Sequence, residues 1–137
     1  MKPVLLDTGP LVALLDRSEE HHEACADLIP SLEGPLVTCE AVIAESCYIL
    51  RHLRGAPEAV LQNVEQDVFL IPFRLRPSAP AVRNLMRKYR TVPMDFADAC
   101  LVCLADELGT GRILTLDGGF TIFRWGRNRP FDLLLDL

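Results

Sequence analysis

Short apolar runs alternate along the chain with longer segments in which apolar residues recur every three or four positions. The short runs predict β-strands at residues 4–6, 36–38, 68–72 and 112–116, with a last edge strand over 131–137. The longer segments predict a helix with Pro10 in its first turn, a second helix that starts near residue 18, and further helices that span about 40–53, 57–66, 78–89 and 95–108. This alternation predicts an α/β fold in which helices cover both faces of a mostly parallel sheet.

The start of the second helix is predicted from its polar residues. Ser18 is a residue type that caps helices, and Glu19 and Glu20 follow it, where the helix dipole favours negative charge. We therefore expect this helix to begin directly after Ser18 and to falter near Pro30.

Two predicted strands end on a carboxylate. Asp7 follows the run Val4–Leu6, and Asp117 follows the strand at 112–116. Binding and catalytic sites of parallel sheets lie at the carboxyl ends of the strands. The two acids are therefore expected to lie at one edge of the sheet, where such a site forms.

Two further acids interrupt apolar stripes on predicted helices. Glu45 stands three residues after Val42 and four before Ile49, and Asp98 stands three residues before Leu101. A carboxylate that faces a core is costly unless it has a partner. Both acids are therefore candidates for chemistry.

A simpler interpretation of Asp98 needs no chemistry. Asp95 is a good N-cap three residues earlier, and Asp98 then serves as an acid in the first helical turn. The sequence leaves both interpretations open.

If these four acids converge, their charges repel one another. At ~5 Å and an effective dielectric of ~20, each pair costs about 3 kcal/mol. Protonation or a bound cation relieves that repulsion. Oxygen ligands suit Mg²⁺ or Mn²⁺, and a divalent ion in an open carboxylate site supports hydrolysis of phosphodiesters.

Length and composition fit one globular domain over residues 1–137. Half of the 137 residues are apolar and 24% are charged. The chain shows neither an apolar run long enough for a bilayer nor a signal peptide, so we expect a cytoplasmic protein with no membrane partner.

The overall charge is acidic, with a net charge of −5 and a pI near 5.1. This balance is not typical of a general nucleic-acid binder. The basic residues are nevertheless clustered, at 51–54, 83–90 and 124–129. Such local patches can serve a polyanion, although solvated helix faces explain them equally well.

The sequence resembles the PIN-domain ribonucleases, and most closely the VapC-type toxins of bacterial toxin–antitoxin pairs. The resemblance begins with VLLDTGPLVALLD around Asp7 and continues through Glu45 in TCEAVIAESCYIL. It ends with MDFADACLVCLADELGTGRILTLDGGF, which contains Asp98 and Asp117. The four acids occur in the family's order, spacing and elements over nearly the whole chain.

The resemblance implies a PIN-like three-layer α/β/α sandwich and an endoribonuclease that uses one or two Mg²⁺ or Mn²⁺ ions. Asp7 and Asp98 are implied as direct metal ligands, with Glu45 and Asp117 binding directly or through water. The implied supporting residues are Thr8, Asp95 and Thr115. A homodimer and a small antitoxin protein are the implied partners, and RNA is the implied substrate.

Three alternatives stay open. A PIN-like domain without activity would bind RNA or a protein, and a housekeeping nuclease would process RNA without being a toxin. Asp7-Thr8-Gly9 also matches retroviral-type aspartic proteases, but those are all-β proteins, and the predicted helices argue against them.

The pair Gly118-Gly119 departs from the more polar pair that many PIN domains carry after the last acid.

Overall fold

Seven short strands appear in the computed structural model, which describes residues 2–135. In chain order they are β1 (Val4–Leu6), β2 (Leu36–Val37), β3 (Phe69–Leu70), β4 (Arg112–Leu114), β5 (Arg124–Trp125), β6 (Arg129–Pro130) and β7 (Asp132–Leu133). Five of them form one sheet in the order β3-β2-β1-β4-β7, and every neighbouring pair is parallel. β5 and β6 form a separate antiparallel pair. The central sheet is therefore parallel, as predicted.

Six α-helices flank this sheet. They are α1 (Thr8–Leu15), α2 (His22–Leu28), α3 (Glu40–Ile49), α4 (Ala56–Glu65), α5 (Leu75–Lys88) and α6 (Phe96–Leu108). Together with the sheet they form the predicted three-layer α/β/α arrangement. None of the helices within residues 2–135 has both the length and the apolar character needed to cross a membrane.

The core is centred on β1, β4 and α6. Leu5 of β1 lies in register with Ile113 of β4, and both side chains are fully buried. Helix α6 is buried at every position from 97 to 105. A helix that is apolar on all sides belongs inside a domain. This burial fixes the position of the first turn of α6, which carries Asp98.

The predicted start of the second helix is wrong, because α2 begins at His22 rather than after Ser18. The hydroxyl and the backbone N–H of Ser18 both donate to Asp16 Oδ1, at 2.6 and 3.0 Å. This local turn, closed by an aspartate side chain, competes with helix formation. Glu19 and Glu20 therefore lie in the turns before α2.

Other boundaries also differ from the prediction, and the strands at 68–72 and 112–116 are shorter than expected. Helix α5 begins at Leu75, three residues early, because Pro77 falls in its first turn, where a missing N–H costs little. Only Asp132–Leu133 of the predicted last strand pair with β4. Residues 136 and 137 of that prediction lie outside the described residues.

An aromatic cluster closes the core beside β4, and it offers a test of the packing. Phe123 is fully buried and makes edge-to-face contacts with Tyr89 and Phe120, with ring centroids 5.1 Å apart in both pairs.

We expect Phe123→Ala to lower the free energy of unfolding by about 3–5 kcal/mol. Urea denaturation measures the loss. The neighbouring Ile122→Ala is the control, because Ile122 is 53% exposed and its loss should cost less than about 0.5 kcal/mol.

Candidate active site

A cavity of about 330 Å³ opens where β1 and β4 end. Its lining residues among those described are Asp7, Thr8, Gly9, Glu45, Ile49, Asp95, Asp98, Leu116 and Asp117. Five of these nine residues are acidic and none is basic. The four acids singled out from the sequence thus share one cavity, together with Asp95. Their role in catalysis stays a prediction.

Asp7 is the best-anchored of these acids. Its backbone N–H donates to the Leu114 carbonyl at 3.0 Å, which holds it against β4. Its carboxylate accepts the Thr8 N–H at 2.8 Å and the Thr115 hydroxyl at 2.7 Å. Asp7 is also the N-cap of α1. The strand therefore ends on a carboxylate that both starts the next helix and faces the cavity.

Thr115 connects two of the acids. Its hydroxyl donates to Asp7 and accepts the backbone N–H of Asp117 at 3.0 Å. The carboxylate of Asp117 accepts the N–H of Gly119 at 2.9 Å. Asp117 is exposed to solvent, whereas Asp7 and Thr115 are buried. This chain of hydrogen bonds fixes the ends of β1 and β4 relative to each other.

Asp95 and Asp98 form a reciprocal cap at the start of α6. The N–H of Asp98 donates to Asp95 Oδ1 at 2.8 Å, and the N–H of Asp95 donates to Asp98 Oδ2 at 3.2 Å. Asp98 is only 5% exposed, yet it lines the cavity. The capping interpretation is therefore confirmed, and the same residue lines the cavity, whereas a role of Asp98 in chemistry stays a prediction.

The expectation that Glu45 faces the core is wrong. The buried side of α3 consists of Val42, Ile43 and Ser46, whereas Glu45 is exposed. Ile49, expected beside it in the core, is 38% exposed. The core-facing stripe therefore lies one position further round the helix, and Glu45 and Ile49 both border the cavity.

Burial is the main cause of the raised pKa values of two acids in the cavity, Asp7 and Asp98. It raises the pKa of Asp7 from 3.8 to about 6, although the hydrogen bonds from Thr115 and Thr8 lower that pKa. Burial also raises the pKa of Asp98 to about 8, and the charge of Asp95 adds to this shift. The mutual repulsion anticipated from the sequence is present, but it is the smaller effect.

No basic side chain neutralises the cavity. The single ion pair within residues 2–135 joins His21 to Glu20, with Nε2 and Oε2 3.8 Å apart, and involves none of the five acids. Protons or a bound cation are therefore the means of relieving the charge.

The donor set fits a hydrated divalent ion rather than a closed cage. Within the described part of the chain, no three His, Cys, Asp or Glu side chains are grouped closely enough to hold a metal by themselves. Mg²⁺ usually keeps several waters and binds one or two carboxylates, and the cavity offers that space. Thr8 also lines the cavity, and its buried Oγ1 has no hydrogen-bond partner among the described residues, so its hydrogen-bonding capacity is unused.

The comparison with known protein families decides the identity of the fold. The profile of the PIN domain matches residues 4–125. The chain belongs to the PIN-domain family. This PIN domain is 31% identical over 116 residues to Ribonuclease VapC26 of Mycobacterium tuberculosis, which covers 83% of this chain and 86% of that protein. It therefore belongs with the VapC-type PIN ribonucleases.

A solved structure shows the same fold. The crystal structure of VapC20 from Mycobacterium tuberculosis, described as a toxin that cleaves the sarcin-ricin loop, superposes with a TM-score of 0.73 at 19% identity. The match covers 84% of this PIN domain and 90% of VapC20. At this identity the likeness concerns the fold.

Two glycines beside the acids were not recognised as part of the site from the sequence. A Cβ on Gly9 would lie 3.1 Å from a side-chain atom of Leu116, which lines the cavity. A Cβ on Gly119 would lie 2.9 Å from the ring of Phe123 and 3.2 Å from Asp117 Oδ1. Within the Gly118-Gly119 pair, Gly119 is thus the residue whose missing side chain permits this close approach, whereas a Cβ on Gly118 would meet no atom within 4 Å.

Proposed function

We propose that this PIN domain is a Mg²⁺- or Mn²⁺-dependent endoribonuclease and the toxin of a toxin–antitoxin pair. The observation that carries the proposal is the cavity at the ends of β1 and β4, with five carboxylates and no basic residue in its lining. The similarity to a ribonuclease over most of both chains supports RNA as the substrate.

The four acids predicted from the sequence differ in burial, and we assign their roles accordingly. Asp7 and Asp98 are buried and hydrogen-bonded, so they are the direct metal ligands in this proposal. Glu45 and Asp117 are exposed at the cavity and bind the metal directly or through water. A divalent ion held by these acids would supply a water of lowered pKa and would stabilise charge on the phosphoryl oxygens.

The chain itself orients the reacting groups. Thr115 holds one oxygen of Asp7 and the backbone of Asp117, and the cap with Asp95 holds Asp98. The exposed carboxylate of Glu45 is free to orient the attacking water and to take its proton. Thr8 supports the pocket, since its hydroxyl has hydrogen-bonding capacity to spare.

We place the enzyme in the cytoplasm as one domain over residues 1–137 that forms a homodimer. A small antitoxin protein covers the acidic cavity until cleavage is required. The VapC-type relatives support the antitoxin.

The decisive experiment is RNA cleavage by the purified chain. Structured and single-stranded RNAs are incubated with Mn²⁺ or Mg²⁺, and we expect internal cuts that EDTA abolishes. Induced expression in a bacterial host should also arrest growth if the domain is a toxin. Absence of cleavage across varied RNAs would instead favour an inactive module that binds RNA or protein, and cleavage without growth arrest would favour a housekeeping nuclease.

The hydrogen bond between Thr115 and Asp7 predicts a strong effect at a residue outside the cavity lining. Thr115→Val removes the 2.7 Å hydrogen bond to Asp7 and the acceptor of the Asp117 N–H. We expect cleavage to fall about 10–100-fold, because groups that orient metal ligands have effects of this size. Initial rates at saturating Mn²⁺ measure it. Thr115→Ser keeps the hydroxyl and should retain most activity; equal losses in the two variants would contradict the assigned role.

A further inference from the structure

A second cavity of about 370 Å³ lies next to the acidic one, between α3 and α6. Its lining residues are Ala41, Ala44, Glu45, Asp95, Phe96 and Ala97. Glu45 and Asp95 line both cavities, so they form the wall between them. A nucleotide whose phosphate lies in the acidic cavity therefore has a neighbouring space for a base.

Phe96 gives this second cavity an aromatic wall. It is the first residue of α6 and is 42% exposed, although it is a large apolar side chain. It belongs neither to the core cluster nor to the ring pairs found among the described residues. Exposed aromatic rings beside a strand-binding site are platforms on which bases stack.

The rest of the lining is suited to a flat ligand. Ala41, Ala44 and Ala97 have no side chain beyond Cβ, so apart from the two carboxylates the space beside Phe96 is bounded by small residues. The polar groups of the lining side chains are carboxylates, which accept hydrogen bonds when ionised and donate none. A base that fits must therefore present adjacent N–H donors.

Of the two carboxylates in the lining, Glu45 orients the attacking water in the proposed function, which leaves Asp95 as the acceptor for a base. Oδ1 of Asp95 already accepts the Asp98 N–H, which leaves the second oxygen and further lone pairs. Guanine offers N1–H and the N2 amino group side by side, without an acceptor between them. The Watson–Crick edges of adenine and cytosine put a ring nitrogen acceptor beside the amino group, and uracil flanks its single N–H with two carbonyls. Guanine is therefore the base that a carboxylate matches best.

We propose that the cavity between α3 and α6 binds a guanine base next to the cleaved bond, stacked on Phe96 and recognised by Asp95. This inference rests on the proposed function, because it takes RNA as the substrate. The first-turn N–H groups of α6 lack carbonyl partners within the helix and favour negative charge. They offset part of the repulsion between the carboxylates and the RNA backbone.

Cleavage of matched RNAs tests the selectivity. RNAs that differ at one position, with guanine, inosine, adenine, cytosine or uracil beside the cut, are compared by kcat/KM. We expect kcat/KM for the guanine RNA to exceed that for the inosine RNA about tenfold, because inosine lacks the N2 amino group.

Variants of the two proposed recognition residues test the site itself. Phe96→Ala should lower cleavage of the guanine substrate about tenfold, and Phe96→Tyr should restore it. Asp95→Asn keeps a good cap and should reduce the ratio of guanine to inosine cleavage towards one.

The matched control is Leu61→Ala. Leu61 is 55% exposed on α4 and lines neither cavity, so its truncation should leave the base preference unchanged. Cleavage that is equal for all five bases, or a preference that survives both Phe96→Ala and Asp95→Asn, would overturn the guanine site while leaving the nuclease in place.

Binding provides a readout that does not need cleavage. The Asp7→Asn protein is titrated with guanosine 5′-monophosphate and its adenosine counterpart, with and without Phe96→Ala. Tighter binding of the guanine nucleotide that depends on Phe96 supports the site even if the intact chain cuts no RNA. Equal binding of both nucleotides overturns it. Sedimentation that shows Phe96→Ala disrupting self-association, with no change in nucleotide binding, would assign the cavity to a second copy instead.

Discussion

Replacing Asp7 with asparagine is expected to reduce Mn²⁺-supported RNA cleavage at least about 100-fold. Asp7 is buried, lines the acidic cavity and accepts hydrogen bonds from Thr8 and Thr115. Asparagine keeps the size and one acceptor oxygen but removes the charge that the proposed metal site requires. Initial rates over a range of Mn²⁺ concentrations measure the loss.

Asp16 provides a matched control for this variant. It lies at the other end of α1 and is 7% exposed, against 6% for Asp7, but it lines neither the acidic cavity nor its neighbour. Hydrogen bonds from Ser18 hold the pKa of Asp16 below its usual value. Asp16→Asn should therefore reduce stability and leave cleavage close to that of the unmodified protein. Similar cleavage by the Asp7→Asn and unmodified proteins would remove Asp7 from the catalytic set.

The stability of the metal-free protein is expected to fall as the pH rises from about 4 to about 8. The pKa of Asp7 rises from 3.8 to about 6 on folding, and that of Asp98 rises to about 8. The folded state therefore holds more protons than the unfolded state in this interval, so raising the pH favours unfolding. The contribution is complete below pH 3.8 and is lost as the pH passes each raised pKa. For Asp7 alone it amounts to about 3 kcal/mol.

Urea denaturation in EDTA at several pH values measures this dependence. Adding Mn²⁺ at pH 8 should recover much of the lost stability, because an ion that binds only the folded state stabilises it. The Asp7→Asn variant serves as the control and should show a smaller slope between pH 4 and 6. A flat profile for the unmodified protein, or no effect of Mn²⁺ at pH 8, would contradict the account of the acidic cavity.

The strand-end acids could be located from sequence because a general rule applies to them. Asp7 and Asp117 follow apolar runs, and the carboxyl ends of parallel strands meet at one edge. Asp98 was found for a related reason, since its place at the head of a buried helix is visible in the sequence. These residues depend on local pattern and on topology, both of which the sequence specifies well.

The surroundings of Glu45 depended on packing that the sequence does not show. Helical spacing placed it with Val42 and Ile49, but a shift of one position round α3 moves a residue from the core to the rim. The turn at Asp16 and Ser18 was missed because a local hydrogen bond outweighed the helix signal of the following glutamates. The cavity beside Phe96 arises where two helices meet, so no local pattern reveals it.

Helix α6 serves at once as the centre of the core and as the carrier of Asp98. Each residue of an α-helix turns about 100° from the last, so a slip of α6 by one position would swing Asp98 out of the cavity. Mutations in the tightly packed middle of this helix are therefore transmitted to the acids at its start. A substitution in this segment is therefore expected to change both the stability of the domain and the position of Asp98, whereas a substitution on the exposed face of α4 should change neither.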